Sequence, residues 1–193
     1  DNINAVLSLS EENGYIDFRG QESKLWFDTV YESPWQVDTL SGYVSWQQQQ
    51  DIFLVSGRDL LVQRHGADVD GGFRLEVRNG DADWLALDLN GQNISVEDRL
   101  DYIPPKVLDD GVMSWIQGAF PSSGEIKGVD VLVQSELSDG AKPHVRVQMA
   151  LNDTDVMFDE NWPTATGVKG TFLYDATGIS VHVDSAKLEG LPI

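Results

Sequence analysis

The side chains that could do chemistry in this 193-residue chain are 32 carboxylates, three histidines and six tryptophans. Asp68-Val69-Asp70-Gly71 and Asp81-Ala82-Asp83 resemble fragments of calcium loops, because hard cations want clustered carboxylate oxygens. Neither continues to a closing Glu at regular ligand spacing, and Asp and Gly in hairpin turns account for both. His65, His144 and His182 are far apart, with no metal-binding or Ser-His-Asp arrangement, so they read as surface or edge histidines. A glycosidase needs two carboxylates on opposite sides of a sugar, but among 32 some pair lies at a suitable distance by chance. Tryptophans could stack on sugars, which keeps a lectin-like sandwich open. Trp46, however, alternates with the apolar face of its strand and Trp115 lies on the apolar face of a helical pattern, so both suit core packing. Asn93-Ile94-Ser95 and Asn152-Asp153-Thr154 match glycosylation sequons, a pattern short enough to arise by chance.

Charge excludes more than the motifs do. Thirteen Lys and Arg against 32 Asp and Glu give a net charge of −19. Such a field repels phosphate backbones, so no nucleic-acid partner is expected, and it disfavours docking on anionic headgroups. Solubility explains much of the acidity. With 41% hydrophobic and 23% charged residues, the composition is that of a globular protein. There is no cysteine, which excludes disulfides, thiolate nucleophiles and cysteine-ligated zinc and suits an oxidising compartment. No run approaches ~18 consecutive apolar residues, the length of a membrane-spanning helix. A start at Asp1 and a stop at Leu191-Pro192-Ile193 read as a piece of something longer.

Whatever these residues do, strands must position them. Val145 to Leu151, Ile179 to Asp184 and Phe73 to Val77 alternate apolar with polar, as half-buried antiparallel strands do. Asn13-Gly14, Asn79-Gly80, Asn90-Gly91, Asp139-Gly140 and Asp70-Gly71 mark turns between such runs, implying a meander of hairpins. After Pro104-Pro105, Leu108, Val112, Trp115, Ile116 and Ala119 recur at helical spacing, with Asp109 and Asp110 near the positive end of the dipole. That predicts one amphipathic helix over 105–118, laid across the sheet or over its edge. A weak repeat at an offset of 128 residues aligns the run from Leu40 to Trp46 with that from Val168 to Tyr174. One helix cannot cover so broad an apolar sheet. Either the sheet folds into a sandwich with a dry core, or it curls and leaves an apolar trough. Pattern alone favours the dry core, since most alternation is core.

Several stretches resemble a known family. Leu40-Ser41-Gly42-Tyr43-Val44-Ser45-Trp46, Ile52 to Gly57 and Trp84 to Leu89 are similar to the YhdP-type, AsmA-like proteins. So is Asp101-Tyr102-Ile103-Pro104-Pro105 leading into Val112-Met113-Ser114-Trp115-Ile116, and so is Asn161-Trp162-Pro163 with Val168-Lys169-Gly170. The likeness covers roughly residues 30–190. It departs between Ser135 and His144, where a Phe-Pro-Phe-type element is usual. The resemblance implies a large bacterial envelope protein, anchored in the inner membrane and extending through the periplasm. Its repeated strands would form a half-pipe whose apolar inner face carries phospholipid acyl chains.

The expected fold is therefore mostly β, a long curved antiparallel half-pipe with one helix near 105–118. Its units would be a first strand repeat over 1–103, the helix over 104–120 and a second, truncated repeat over 121–193. The expected function is a segment of a periplasmic phospholipid conduit, without catalysis, metal or cofactor. The alternative is a non-catalytic envelope β-domain with a closed core that binds a protein partner or a glycan and holds no lipid. Candidates for the lipid groove are Leu40, Val44, Trp46, Phe73, Leu75, Val77, Leu85, Leu87 and Leu89 in the first half of the chain. In the second half they are Val145, Val147, Met149, Leu151, Phe172, Val181 and Val183.

Overall fold

The computed structural model describes residues 2–28, 30–106, 110–121, 124–159, 161–175 and 178–193. Six strands come first: β1 (Asn2–Leu9), β2 (Asn13–Leu25), β3 (Trp35–Gln49), β4 (Ile52–Arg64), β5 (Ala67–Arg78) and β6 (Asp83–Ser95). Two helices, α1 (Arg99–Tyr102) and α2 (Asp110–Ala119), precede β7 (Glu125–Leu137), β8 (His144–Val156), β9 (Ala165–Asp175), β10 (Gly178–Leu188) and the short β11 (Leu191–Pro192). All eleven strands form one antiparallel sheet in sequence order. Its edge strands are β1 and β11, so the sheet is open rather than closed into a barrel. Short turns at one end of the strands join them into antiparallel hairpins. The turns β1–β2, β3–β4, β5–β6 and β7–β8 lie at one end of the strands, here the upper end. The helices and the longer loops lie at the lower end.

The expected strands around Phe73, Val145 and Ile179 fall within β5, β8 and β10. Asn79-Gly80 and Asp139-Gly140 lie in upper turns, and Asn13-Gly14 opens β2 beside the Ser10–Asn13 turn. The family departure between Ser135 and His144 spans a turn, and pairing resumes at Gln134 opposite His144. Two turn expectations are corrected: Asp70-Gly71 lies inside β5 and Asn90-Gly91 inside β6. These glycines serve close approach. A Cβ on Gly71 would come within 2.1 Å of the Asp88 carbonyl oxygen, and one on Gly91 within 2.7 Å of Val129 Cγ1. The predicted helix is also shifted. Pro105 and Lys106 form a turn, Leu108 and Asp109 lie outside the described residues, and α2 begins at Asp110. The short helix α1 was not expected.

Each descending strand from β2 to β8 carries one exposed residue with positive φ: Glu22, Asp59, Asn93 and Asp153, at 48° to 57°. Asp59 and Asp153 sit where the pairing register breaks. Asp and Asn reach this conformation at modest cost, and bulges of this kind bend a strand and increase its twist.

Packing concentrates at the lower end. Ile94, Val96, Ala119, Phe120, Ile126, Leu151, Val156, Ala165 and Val168 form a buried cluster between α2 and the strand ends. Trp115 of α2 stacks on Phe172 at 5.8 Å between ring centroids, and its indole N–H donates to the Phe158 carbonyl at 3.2 Å. Beside this cluster, the Arg64 guanidinium lies 5.4 Å from the Trp35 ring and 5.6 Å from that of Tyr102, and it donates to Asp101 at 2.9 Å. The Tyr102 hydroxyl donates to the Arg64 carbonyl at 2.7 Å, and the Tyr31 hydroxyl donates to the Tyr102 carbonyl at 2.9 Å. The tyrosine of the Asp101 to Pro105 element thus ties α1 to the end of β4.

This cluster makes stability depend on alkaline pH. Burial pushes the Tyr31 phenol up to about 12, against a smaller downward pull from Arg64. Burial also raises Tyr102. Below pH ~10 both the folded and the unfolded chain hold the Tyr31 proton, and the contribution is fully present. Above that, the unfolded chain loses the proton first, so stability falls by at most about 1.4 kcal/mol per pH unit until the folded phenol titrates. Partial exposure of the ring lowers that ceiling. Urea unfolding between pH 9 and 12 is expected to show this decline, and Tyr31→Phe to flatten it. An unchanged slope in Tyr31→Phe would remove Tyr31 as its cause.

Candidate functional site: an apolar sheet face

In an antiparallel sheet, residues directly opposite one another point to the same face. Following the pairing register from strand to strand therefore sorts side chains without reference to their chemistry. One row runs Ile3, Gly20, Leu40, Val62, Val69, Gly91, Val129, Met149, Phe172, Val181, across ten strands without a polar residue. At ~4.8 Å per strand it extends about 43 Å. A second row on the same face, four residues further up most strands, runs Leu7, Ile16, Val44, Gly57, Phe73, Leu87, Val133, Val145. The row between them on the opposite face runs Asn4, Arg19, Ser41, Leu61, Asp70, Asn90, Asp130, Gln148, Leu173, Ser180. There Asn90 donates to Asp130 at 2.7 Å, and hydrogen bonds from Arg78 and Arg74 hold the Glu76 carboxyl below the usual range.

All sixteen candidate residues fall on the apolar face. Leu40, Met149, Phe172 and Val181 stand in the ten-strand row, and Val44, Phe73, Leu87 and Val145 in the second. Leu89 and Val147 share a row with Val131 and Tyr174. Trp46, Leu75 and Leu85 share another through Val55, while Val77 pairs with Phe53, and Leu151 leads to Val183 through Gly170. They are not equally covered. Leu151 belongs to the buried cluster, Met149 packs against it and Phe172 lies under Trp115. Val131, Val133, Val145 and Val147, nearer the upper end, are half-buried and outside that cluster.

The candidate set omitted much of this face. Ile16, Phe18, Phe53, Val55, Leu60, Val62, Val129, Val131 and Val133 also belong to it by register. Alternation in Val129-Asp130-Val131 was an available signal. In β4 alternation is hidden by the unbroken apolar run Ile52 to Val55 and, for Leu60 and Val62, by the phase shift at the Asp59 bulge. Glycine seats large neighbours on this face: a Cβ on Gly14 would lie 2.5 Å from the Trp46 ring, and one on Gly57 2.3 Å from that of Phe73.

The polar residues give a different picture. Asp68 and Asp70 lie on β5, where the Asp68 carboxylate accepts from Gln63 at 2.7 Å, and Asp83 accepts from the Arg78 backbone N–H at 2.9 Å. His65, Asp98 and Asp101 have ligand atoms within 4.8 Å of one another, a grouping the sequence did not suggest. Asp101 is already the partner of Arg64, and His65 and Asp101 are exposed.

The YhdP protein family model matches residues 1–193. The chain belongs to the YhdP family. Its similarity extends to the intermembrane phospholipid transporter YhdP of Escherichia coli (strain K12), at 22% identity over 204 residues. That match covers 99% of this chain and 15% of the transporter, so the chain spans a minor part of that YhdP relative's length. No solved structure matches it. Among the described residues, no helix of this YhdP-family chain is long and apolar enough to cross a membrane.

Proposed function

We propose that this chain is a segment of a periplasmic phospholipid conduit, within a longer protein anchored in the inner membrane, and that acyl chains ride on its apolar sheet face. The observation that carries this reading is the ten-strand row from Ile3 to Val181, apolar throughout, on a single sheet whose face is covered by α2 and the buried cluster only toward its lower end. Soluble proteins rarely leave contiguous apolar surface of this extent without an occupant. Each methylene leaving water for such a face gains about 0.8 kcal/mol, and a continuous face lets a chain slide without losing that gain. Headgroups stay at the wet margin, and no catalytic step is needed. The net charge of −19 disfavours adhesion to anionic membranes but does not oppose acyl binding, which needs no positive charge.

Purified protein extracted with organic solvent is expected to release phospholipid detectable by mass spectrometry. A photo-crosslinking residue in place of Leu87 is expected to form lipid adducts, and one in place of Ala86, its neighbour on the opposite face, is not. Equal labelling at both positions would reject the face assignment. Absence of lipid from extracts and adducts alike would favour an envelope domain that binds a protein or glycan.

A further inference from the structure

The apolar face is covered unevenly, and the boundary is a single aromatic pair. Over β7–β9, α2 lies on the lower part of the face, with Trp115 stacked on Phe172 at an interplanar angle of 26°. The indole is fixed from behind by its hydrogen bond to the Phe158 carbonyl, so the ring is a positioned wall. Phe172, Met149 and Val129 stand opposite one another in the register row at this wall. Above it the uncovered residues on β8 are Val147 and Val145, after which the chain turns at Ser138 to Pro143. That turn carries exposed Asp139 and Lys142.

From Met149 to Val145 is four residues, about 14 Å at ~3.4 Å per residue. One leaflet of acyl chain occupies about 15 Å, half of a ~30 Å hydrocarbon core. The distance from the aromatic wall to the last apolar residue before the turn is therefore close to one acyl chain whose headgroup lies at the polar turn and whose methyl end meets the aromatic pair.

We propose that Trp115, backed by Phe172, is the floor of an acyl slot over β7–β9 and sets the chain length this segment accepts. The proposal rests on the acyl-carrying reading above and adds a specificity-determining residue to it. A chain that fits the slot buries every methylene. A longer one must push methylenes back into water at the rim, and a shorter one leaves apolar wall uncovered. Each methylene that gains burial favours its chain by about fourfold.

The test uses vesicles of phosphatidylethanolamine carrying short, medium and long acyl chains in equal parts. The chain is incubated with them and re-isolated, and its bound lipid is read by mass spectrometry. The unaltered protein is expected to take up short and medium chains and to discriminate against the long ones, whose surplus methylenes return to water. Trp115→Ala deepens the slot and should shift the bound lipid to longer chains, by about fourfold for each further methylene accommodated. Val147→Trp raises the floor from the uncovered side and should shift it to shorter chains. Leu173→Ala, adjacent to Phe172 but on the opposite face, should keep the starting profile. If Trp115→Ala does not fold, Val147→Trp carries the test. Lipid bound by the unaltered protein and by Val147→Trp with the same length profile would overturn the floor and leave the conduit reading standing. An unaltered protein that takes up no lipid would overturn both.

Discussion

Val147→Asp is expected to give a folded protein that has lost its phospholipid, whereas Val168→Asp is expected not to fold. The two valines are both on strands, both apolar-facing, and differ in what lies over them. Val147 is half-buried beside Leu89, Val131 and Tyr174, in the part of the face outside the packed cluster. A carboxylate there can stay hydrated in the empty protein, so the cost to folding is small, about 1 kcal/mol. It nevertheless puts a charge in the path of an acyl chain, which must either desolvate it or lift away. Val168 is 0% exposed, opposite Thr154 and within the cluster beneath α2. An unpaired carboxylate there has no water and no cation, a cost of several kcal/mol against the ~5–15 kcal/mol that holds a domain together. Circular dichroism and urea melts report the folding outcome, and mass spectrometry of extracts reports the lipid. A folded Val147→Asp with undiminished lipid would remove this face from the transport path.

Gly71→Ala is expected to be the most damaging single-methyl substitution in the sheet. Gly71 sits inside β5 with φ of +155°, a conformation that residues with a side chain rarely adopt. Its added Cβ would stand 2.1 Å from the Asp88 carbonyl oxygen and 2.9 Å from the Leu89 Cα. Those are backbone atoms of β6, so no rotamer change relieves the contact, and the β5–β6 pairing must open. The expected loss is about 3 kcal/mol or more, at the upper end of what overpacking produces. By contrast Gly80→Ala, in the open upper turn with nothing within 4 Å, carries only the strain of its φ of +82°. A melt in which both variants lose equal stability would show that backbone strain, and not the close approach of β6, governs Gly71.

The contrast between these glycines shows what could be read in advance. Asn79-Gly80 and Asp70-Gly71 look alike in sequence, a small polar residue before a glycine between apolar runs. One closes a hairpin and the other lies under a neighbouring strand. Local sequence carries the backbone freedom that glycine allows. It does not carry the distance to a residue 17 positions away, and that distance is what Gly71 serves. The phase shift at Asp59 hid part of the β4 face for a similar reason: alternation assumes unbroken pleating, and a bulge adds a residue to the count.

By itself the sequence determined the element type and the segregation of side chains. Period-two alternation forces strands with one wet and one dry face, and it placed all sixteen candidate residues on a single face. The charge of −19 made a nucleic-acid partner unexpected, and the motif order pointed to the YhdP family. What the sequence left undecided was whether that dry face met a second sheet or stood open, because alternation is identical in a sandwich and in a trough. Only the tertiary structure chose. Eleven strands in sequence order with β1 and β11 at opposite edges make a single open sheet, and among the described residues the ten-residue helix α2 packs at its lower end. Coverage is a property of how distant segments meet in space, and no local pattern records it.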